Sequence, residues 1–327
     1  YKIIGMMEEG KRLDSRYLPL GSCSFVEIRD WHKIYVDKTA CFADLATVTG
    51  YYILTRPRRF GKTLLVSTFE SLFKEGLKRF KGLAVEKNWT DPATYPVIRL
   101  DFTACRTFKS IKEFSLKFDE MLSKAVLLSG LKYPEPDKTL GIFNKLDLFE
   151  LLLAQSDDYP VLLIDEYDAP LNDCLNDEKL FDEVGKVLRA FYDMVKRQSG
   201  KLRFLLVTGI CRFQNLGLFS GANNLTDLSM DQAYGTLLGY TEKEIRQYFS
   251  PYVERNAEFL GLSLDECLLQ MKRHYDGFCF DEDGATHVFN PWSVLSFLAK
   301  ATPKFENFWY ETSGNATVLL NYLKSHS

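Results

Sequence analysis

The chain has no run approaching the roughly 18 to 20 consecutive apolar residues of a membrane-spanning helix. Its opening segment, YKIIGMMEEGKRLD, lacks the apolar stretch and small-residue cleavage site of a secretory signal. A cytoplasmic protein with no membrane partner is therefore expected. No cysteine pair has C-x-x-C spacing, and the seven cysteines are odd in number and scattered, which suits reduced thiols. Cys267, His274, Cys279 and His287 stand farther apart than zinc ligand pairs usually do. Nor is there an excess of charge of either sign: a formal net charge of −3 gives no bulk footprint for nucleic acid or an anionic membrane. Internal repeats and low-complexity tracts are absent as well.

What is present is ordinary for a globular protein: 46% apolar and 26% charged residues over 327 positions. That length exceeds the size at which one hydrophobic core usually stops growing, so a large domain with a smaller companion is expected. Residues 51–55 (YYILT) form a β-prone run leading into RPRRFGKT, then into a helical pattern that Gly76 stops. Leu65, Phe69, Leu72 and Phe73 recur at helical spacing and would face a sheet. Further strands are expected at 96–101, 160–165 and 202–208, nearly continuous in apolar residues as doubly covered strands tend to be. A helix over 178–198 carries the stripe Phe181, Val184, Val187, Leu188, Phe191 and Val195. Strands alternating with helices imply a parallel sheet.

Beyond residue 240 the helix start signals are clear. Thr241 with Glu244 and Ser263 with Glu266 have capping-box spacing, and Asn290-Pro291 pairs an N-cap with proline at the first helical position. GFCFDEDGATHVFN reads as a hairpin turned at Asp283-Gly284.

Arg56 to Thr63 aligns with the phosphate loop G-x-x-x-x-G-K-S/T, except that Arg56 stands where the first glycine is usual. Gly61 would let backbone amides approach phosphate, Lys62 would reach the β- and γ-phosphates, and the Thr63 hydroxyl would hold Mg²⁺. Arg58, Arg59, Phe60 and Leu64 complete the expected nucleotide-binding stretch at a helix N-terminus. Pro57 holds Arg56 extended, so the strand ends without that glycine and the turn is built differently. For Arg58 and Arg59 two readings stay open: phosphate or a partner's carboxylate, or a solvated loop pair.

In VLLIDEYD a buried-looking run delivers Asp165 and Glu166 to the carboxyl end of a strand, where ligands of open α/β sheets bind. Asp165 would hold Mg²⁺ and Glu166 would polarise the attacking water; the bland alternative is an acidic helix cap. Asp168 reads as a turn or ion-pair residue, and Asp101 as a turn residue. Thr208 would sense the γ-phosphate and Arg212 would offer charge to the transition state, each against a plain strand-to-loop reading.

These residues resemble the bacterial and archaeal predicted AAA-ATPase family. The resemblance is carried by LPLGSCSFVEI, YVDKTA, RPRRFGKT, VLLIDEYDAPL, LLVTGICRFQNLGLFSGANNLTDLS, LLGYTEKEI, HYDGFCF, FNPWSVLSFL and FWYETSG. It implies an additional-strand catalytic-glutamate fold, AAA-like, with the phosphate-loop strand beside the sensor strand and a helical lobe beyond. It also implies ATP and Mg²⁺ as ligands and Lys62, Thr63, Asp165 and Glu166 as site residues. Cys211 stands where serine is common in the family, and Tyr35 to Thr39 is a family segment whose role the resemblance does not settle. Members often carry a carboxyl-terminal PD-(D/E)XK nuclease. No convincing pattern of that kind stands in these residues, so DNA is expected as a partner through a module outside them, with weak contact through Arg58, Arg59 or the basic stretch Lys78, Arg79 and Lys81 as the minority reading; a homo-oligomer stays open. The expected division is an extension (1–17), an α/β P-loop ATPase domain (18–238), and a helical lobe with a short hairpin (239–327).

Overall fold

The computed structural model describes residues 13–135, 144–211 and 225–306. Arg212, the FWYETSG segment and most of the expected amino-terminal extension lie outside the described residues.

Two short helices come first, α1 (Phe25–Asp30) and α2 (Ala40–Ala46), followed by strand β1 (Gly50–Thr55) and helix α3 (Lys62–Glu75). Then come α4 (Val85–Asn88), β2 (Val97–Asp101), α5 (Ile111–Ser129), α6 (Lys145–Gln155) and β3 (Val161–Asp165). Next are α7 (Ala169–Asp173), α8 (Glu178–Arg197), β4 (Phe204–Gly209) and β5 (Thr226–Asp227). The lobe holds α9 (Glu242–Leu260), α10 (Leu264–Tyr275), the hairpin strands β6 (Phe278–Cys279) and β7 (His287–Val288), and α11 (Pro291–Ala299).

β1 to β5 form one parallel sheet in the order β2-β3-β4-β1-β5, flanked by helices, which is a P-loop NTPase-like α/β fold. Every residue of β3 and β4 is buried, which accounts for their unbroken apolar sequences. Because β4 lies between β1 and β3, Leu54 pairs with Thr208 and Thr55 with Gly209, while Ile164 pairs with Val207 on the other side. The carboxyl ends of β1, β3 and β4 thus form one shelf, the usual ligand position of open parallel sheets.

α3 starts at Gly61 and stops at Gly76, and it lays Phe69 and Phe73 against Phe204 on one sheet face. On the other face Phe118, Phe149 and Phe191 join α5, α6 and α8 in a second apolar cluster. A third cluster lies in the lobe, where α9, α10 and α11 enclose Phe249, Met271 and Phe297. Leu18, Ile34 and Val36 of the amino-terminal segment pack into this lobe cluster, so that segment runs along both bodies. Both capping boxes form, Asn290 caps α11, and the hairpin turns through Gly284 at φ 67°. Among the described residues no helix is long and apolar enough to cross a membrane.

Candidate functional site

The phosphate-loop segment leaves β1 at Thr55 and enters α3 at Lys62 with two residues in the left-handed region, Arg59 at φ 65° and Gly61 at φ 92°. A Cβ at position 61 would meet only Leu238, at 3.8 Å, so glycine is required there by the backbone conformation rather than by space. Lys62 is 4% exposed, and its Nζ donates to the carbonyl oxygens of Arg56 and Pro57, both at 2.9 Å. The loop is thereby curled around its own ammonium group. Burial lowers the pKa of Lys62, while the carboxylates of Glu166, Asp168 and Asp165 act to keep it charged.

Arg56 does more than replace a glycine in a turn. It is 1% exposed, and its guanidinium donates to the carbonyls of Thr55 (2.9 Å), Ser229 (2.6 Å) and Tyr234 (3.2 Å). It also lies 4.1 Å from the centroid of the Phe280 ring in the lobe hairpin. Burial pulls its pKa down to about 10, with Asp227 opposing. Two neighbours repeat the pattern: Arg59 lies 4.0 Å over Trp292, and Phe60 meets Phe278 and Phe280 edge-on at 4.8 and 5.3 Å. One side of the loop is therefore fastened to the lobe.

The facing wall is acidic and belongs to the sheet. Asp165, 1% exposed, accepts a 2.7 Å hydrogen bond from the Thr208 hydroxyl, and its other oxygen lies 3.8 Å from Arg99, which also binds Glu70. Glu166 follows at φ 49°, a left-handed conformation that costs a non-glycine residue about 1–3 kcal/mol. Its carboxylate accepts from Arg106 at 2.8 Å. Burial raises the pKa of Glu166, and Arg106 and Lys62 oppose that rise. Asp168 is fully buried and accepts from the backbone N–H groups of Ile210 and Cys211, so it holds the chain leaving β4. Asp101 closes its own turn by accepting from Thr103.

Between these walls and the lobe is a cavity of about 330 Å³. Of the residues expected from sequence, Arg59 to Leu64 and Glu166 line it, joined by Tyr35, Lys38 and Trp292. Asp165 and Thr208 are buried and paired to each other behind Glu166, Arg58 is exposed, and none of the three lines the cavity itself. Arg99 and Arg106 escaped the sequence reading: each approaches an acidic site residue from the β2 side, and neither sits in a recognisable motif. Lys38 was contained in the YVDKT segment without a role.

A profile of the family described as Predicted AAA-ATPase matches residues 19–219. Over 315 residues, 95% of this chain, the sequence is 31% identical to a protein of Azotobacter chroococcum mcd 1 described as an uncharacterized protein in the vnfD 5' region. The match covers 57% of that relative, so the chain spans little more than half its length.

Proposed function

The chain belongs to the predicted AAA-ATPase family, and from that premise we propose that it binds ATP in the cavity beside the phosphate loop and hydrolyses it to ADP and phosphate with Mg²⁺. The observation that carries this reading is the sheet order: inserting β4 between β1 and β3 gathers Lys62, Asp165, Glu166 and Thr208 at neighbouring strand ends.

Lys62 would exchange its two loop carbonyls for the β- and γ-phosphate oxygens, at the positive end of the fourteen-residue α3. Arg58 and Arg59 would add positive charge on the same loop, and Phe60 and Leu64 would flank the phosphates. The Thr63 hydroxyl and the Asp165 carboxylate are hard oxygen donors of the kind Mg²⁺ takes, and they would hold it. When bound, the ion neutralises charge developing on the phosphoryl oxygens. Glu166 would orient and polarise the attacking water, a role that its raised pKa favours by making it a better proton acceptor. Thr208 would act through its bond to Asp165, and Arg212, just past β4, would supply charge to the transition state. The loop's contacts with Phe278, Phe280 and Trp292 would pass nucleotide state to the lobe. In a longer protein that movement would reach a DNA-cutting module of the kind the family often carries.

Titrating the purified chain with ATP, with and without Mg²⁺, tests the reading by calorimetry alongside phosphate release. One saturable Mg²⁺-dependent site with slow or steady phosphate production is expected; no binding heat at any ATP concentration would overturn it. A second reading, a nucleotide-held switch that turns over slowly, is supported by the Arg106–Glu166 ion pair, which occupies the carboxylate that would polarise water. ADP release slower than hydrolysis would select the switch.

A further inference from the structure

The segment Tyr35 to Thr39 sits where the cavity, the sheet domain and the lobe meet. On the domain side the Asp37 carboxylate accepts from the Thr39 amide (2.8 Å), the Thr39 hydroxyl (2.6 Å) and the Ala84 amide (2.8 Å). The Thr39 hydroxyl in turn accepts from the Val85 amide at 3.0 Å, which fastens the segment to α4. Toward the lobe, the Asp37 amide donates to the Tyr248 hydroxyl at 3.3 Å, and Lys38 Nζ reaches both oxygens of Glu244 at 2.6 and 2.7 Å. Tyr248 and Glu244 are both on α9. Alternate residues divide accordingly, with Tyr35 in the domain's apolar cluster and Val36 in the lobe's.

Lys38 also forms part of the cavity wall, on the same cavity as Lys62 and Trp292. The side chains of Lys38 and Glu244 are 12% and 18% exposed, so the pair is mostly withdrawn from water. Glu244 is further held by the Thr241 amide at 2.8 Å, which fixes it to the first turn of α9. A withdrawn ion pair slows separation, because the two charges lose each other before water can reach them, and that arrangement is a barrier on the way to the open state. It is the only ion pair among those found in the described residues that joins the cavity wall to the lobe.

Building on the nucleotide reading of the cavity, we propose that Lys38 and Glu244 form a clasp that holds the lobe against the domain over bound nucleotide and sets the rate of its release. Both are positioning residues. Opening the lobe to free the nucleotide requires this pair and the longer Asp37 amide–Tyr248 bond to part, whereas the Asp37 carboxylate and Thr39 hydroxyl contacts stay with the domain.

The test is dissociation of a fluorescent ATP analogue from the purified chain, chased with excess unlabelled ATP in Mg²⁺. Lys38→Met and Glu244→Gln should each speed release roughly 10-fold or more. Glutamine retains an acceptor for the Thr241 amide, so the cap of α9 survives. The double variant should release no faster than the faster single one, since the same interaction is lost once, and Lys38→Arg should keep release slow. Melting curves without nucleotide confirm folding; if Lys38→Met does not fold, Glu244→Gln and Lys38→Arg carry the comparison. A wild-type chain that binds the analogue, with single variants releasing it at the wild-type rate or multiplying their effects in the double variant, overturns the clasp alone. Failure of the wild-type chain to bind the analogue overturns the nucleotide reading beneath it.

Discussion

The two sides of the site are built on opposite plans, and of their residues Arg59 to Lys62 and Glu166 line the cavity itself while the others stand behind them. The phosphate-loop wall, from Arg56 to Lys62, spends its side chains on the neighbouring lobe and on its own backbone: Arg56 and Phe60 on the hairpin phenylalanines, Arg59 on Trp292, Lys62 on two loop carbonyls. The acidic wall spends its side chains within the sheet domain: Asp165 on Thr208, Asp168 on the amides after β4, Glu166 on Arg106. The difference separates two jobs. Changes in the loop wall should alter affinity and the bond between domain and lobe, and changes at Asp165 and Glu166 should alter turnover, while Asp168 holds the chain after β4.

The strongest way to break that contrast on the loop side is Arg56→Gly, which restores the residue usual in a phosphate loop. If Arg56 were only a departure from the pattern, glycine would be neutral or better. Instead the carbonyls of Ser229 and Tyr234 lose their donor and a void opens beside Phe280, so a loss of about 3–5 kcal/mol is expected, read as a lowered melting temperature. Next in size is Lys62→Ala, which removes charge-assisted bonds of about 1.5–3 kcal/mol each and should weaken ATP binding roughly 10- to 150-fold with the fold intact. Calorimetry reads this directly, and unchanged affinity would move the phosphates elsewhere.

On the acidic side Asp168→Asn sharpens the comparison, because asparagine keeps an oxygen for the Ile210 and Cys211 amides but loses the charge. A stability loss of about 1 kcal/mol with turnover changed by less than about tenfold is expected. A collapse of turnover would make Asp168 the water-polarising group. The smallest effect belongs to Arg59→Ala, which removes a stacking contact at an exposed site worth about 0.5–1 kcal/mol. A small drop in melting temperature with severalfold weaker nucleotide binding is expected; a loss as large as that of Lys62→Ala would mean that Arg59 leaves Trp292 for the phosphates.

Much of this was legible in the sequence where a local signal states its own purpose. Gly61 and Gly76 bracket α3, the buried runs of β3 and β4 announce doubly covered strands, and both capping boxes form as spaced. α5 went unread even though Ser110 and Glu113 mark its start and Phe114, Phe118, Met121 and Leu122 mark its buried face. α6 went unread too, although Asn144 and Asp147 mark its start, whereas the missed site contacts are non-local. Arg106 meets Glu166 across 60 positions, Lys38 meets Glu244 across 206, and Arg56 meets Tyr234 across 178, and no spacing rule reaches that far. An arginine at a glycine position therefore reads as a flaw in sequence and as a buried tie in structure.

The most direct test of the division between the walls is phosphate release by Glu166→Gln measured together with its ATP affinity. Glutamine keeps the size of the side chain and loses the carboxylate that would polarise water. ATP affinity near that of the wild-type chain is expected, with turnover lower by about 100- to 10,000-fold. Turnover at the wild-type rate with intact binding would contradict that division.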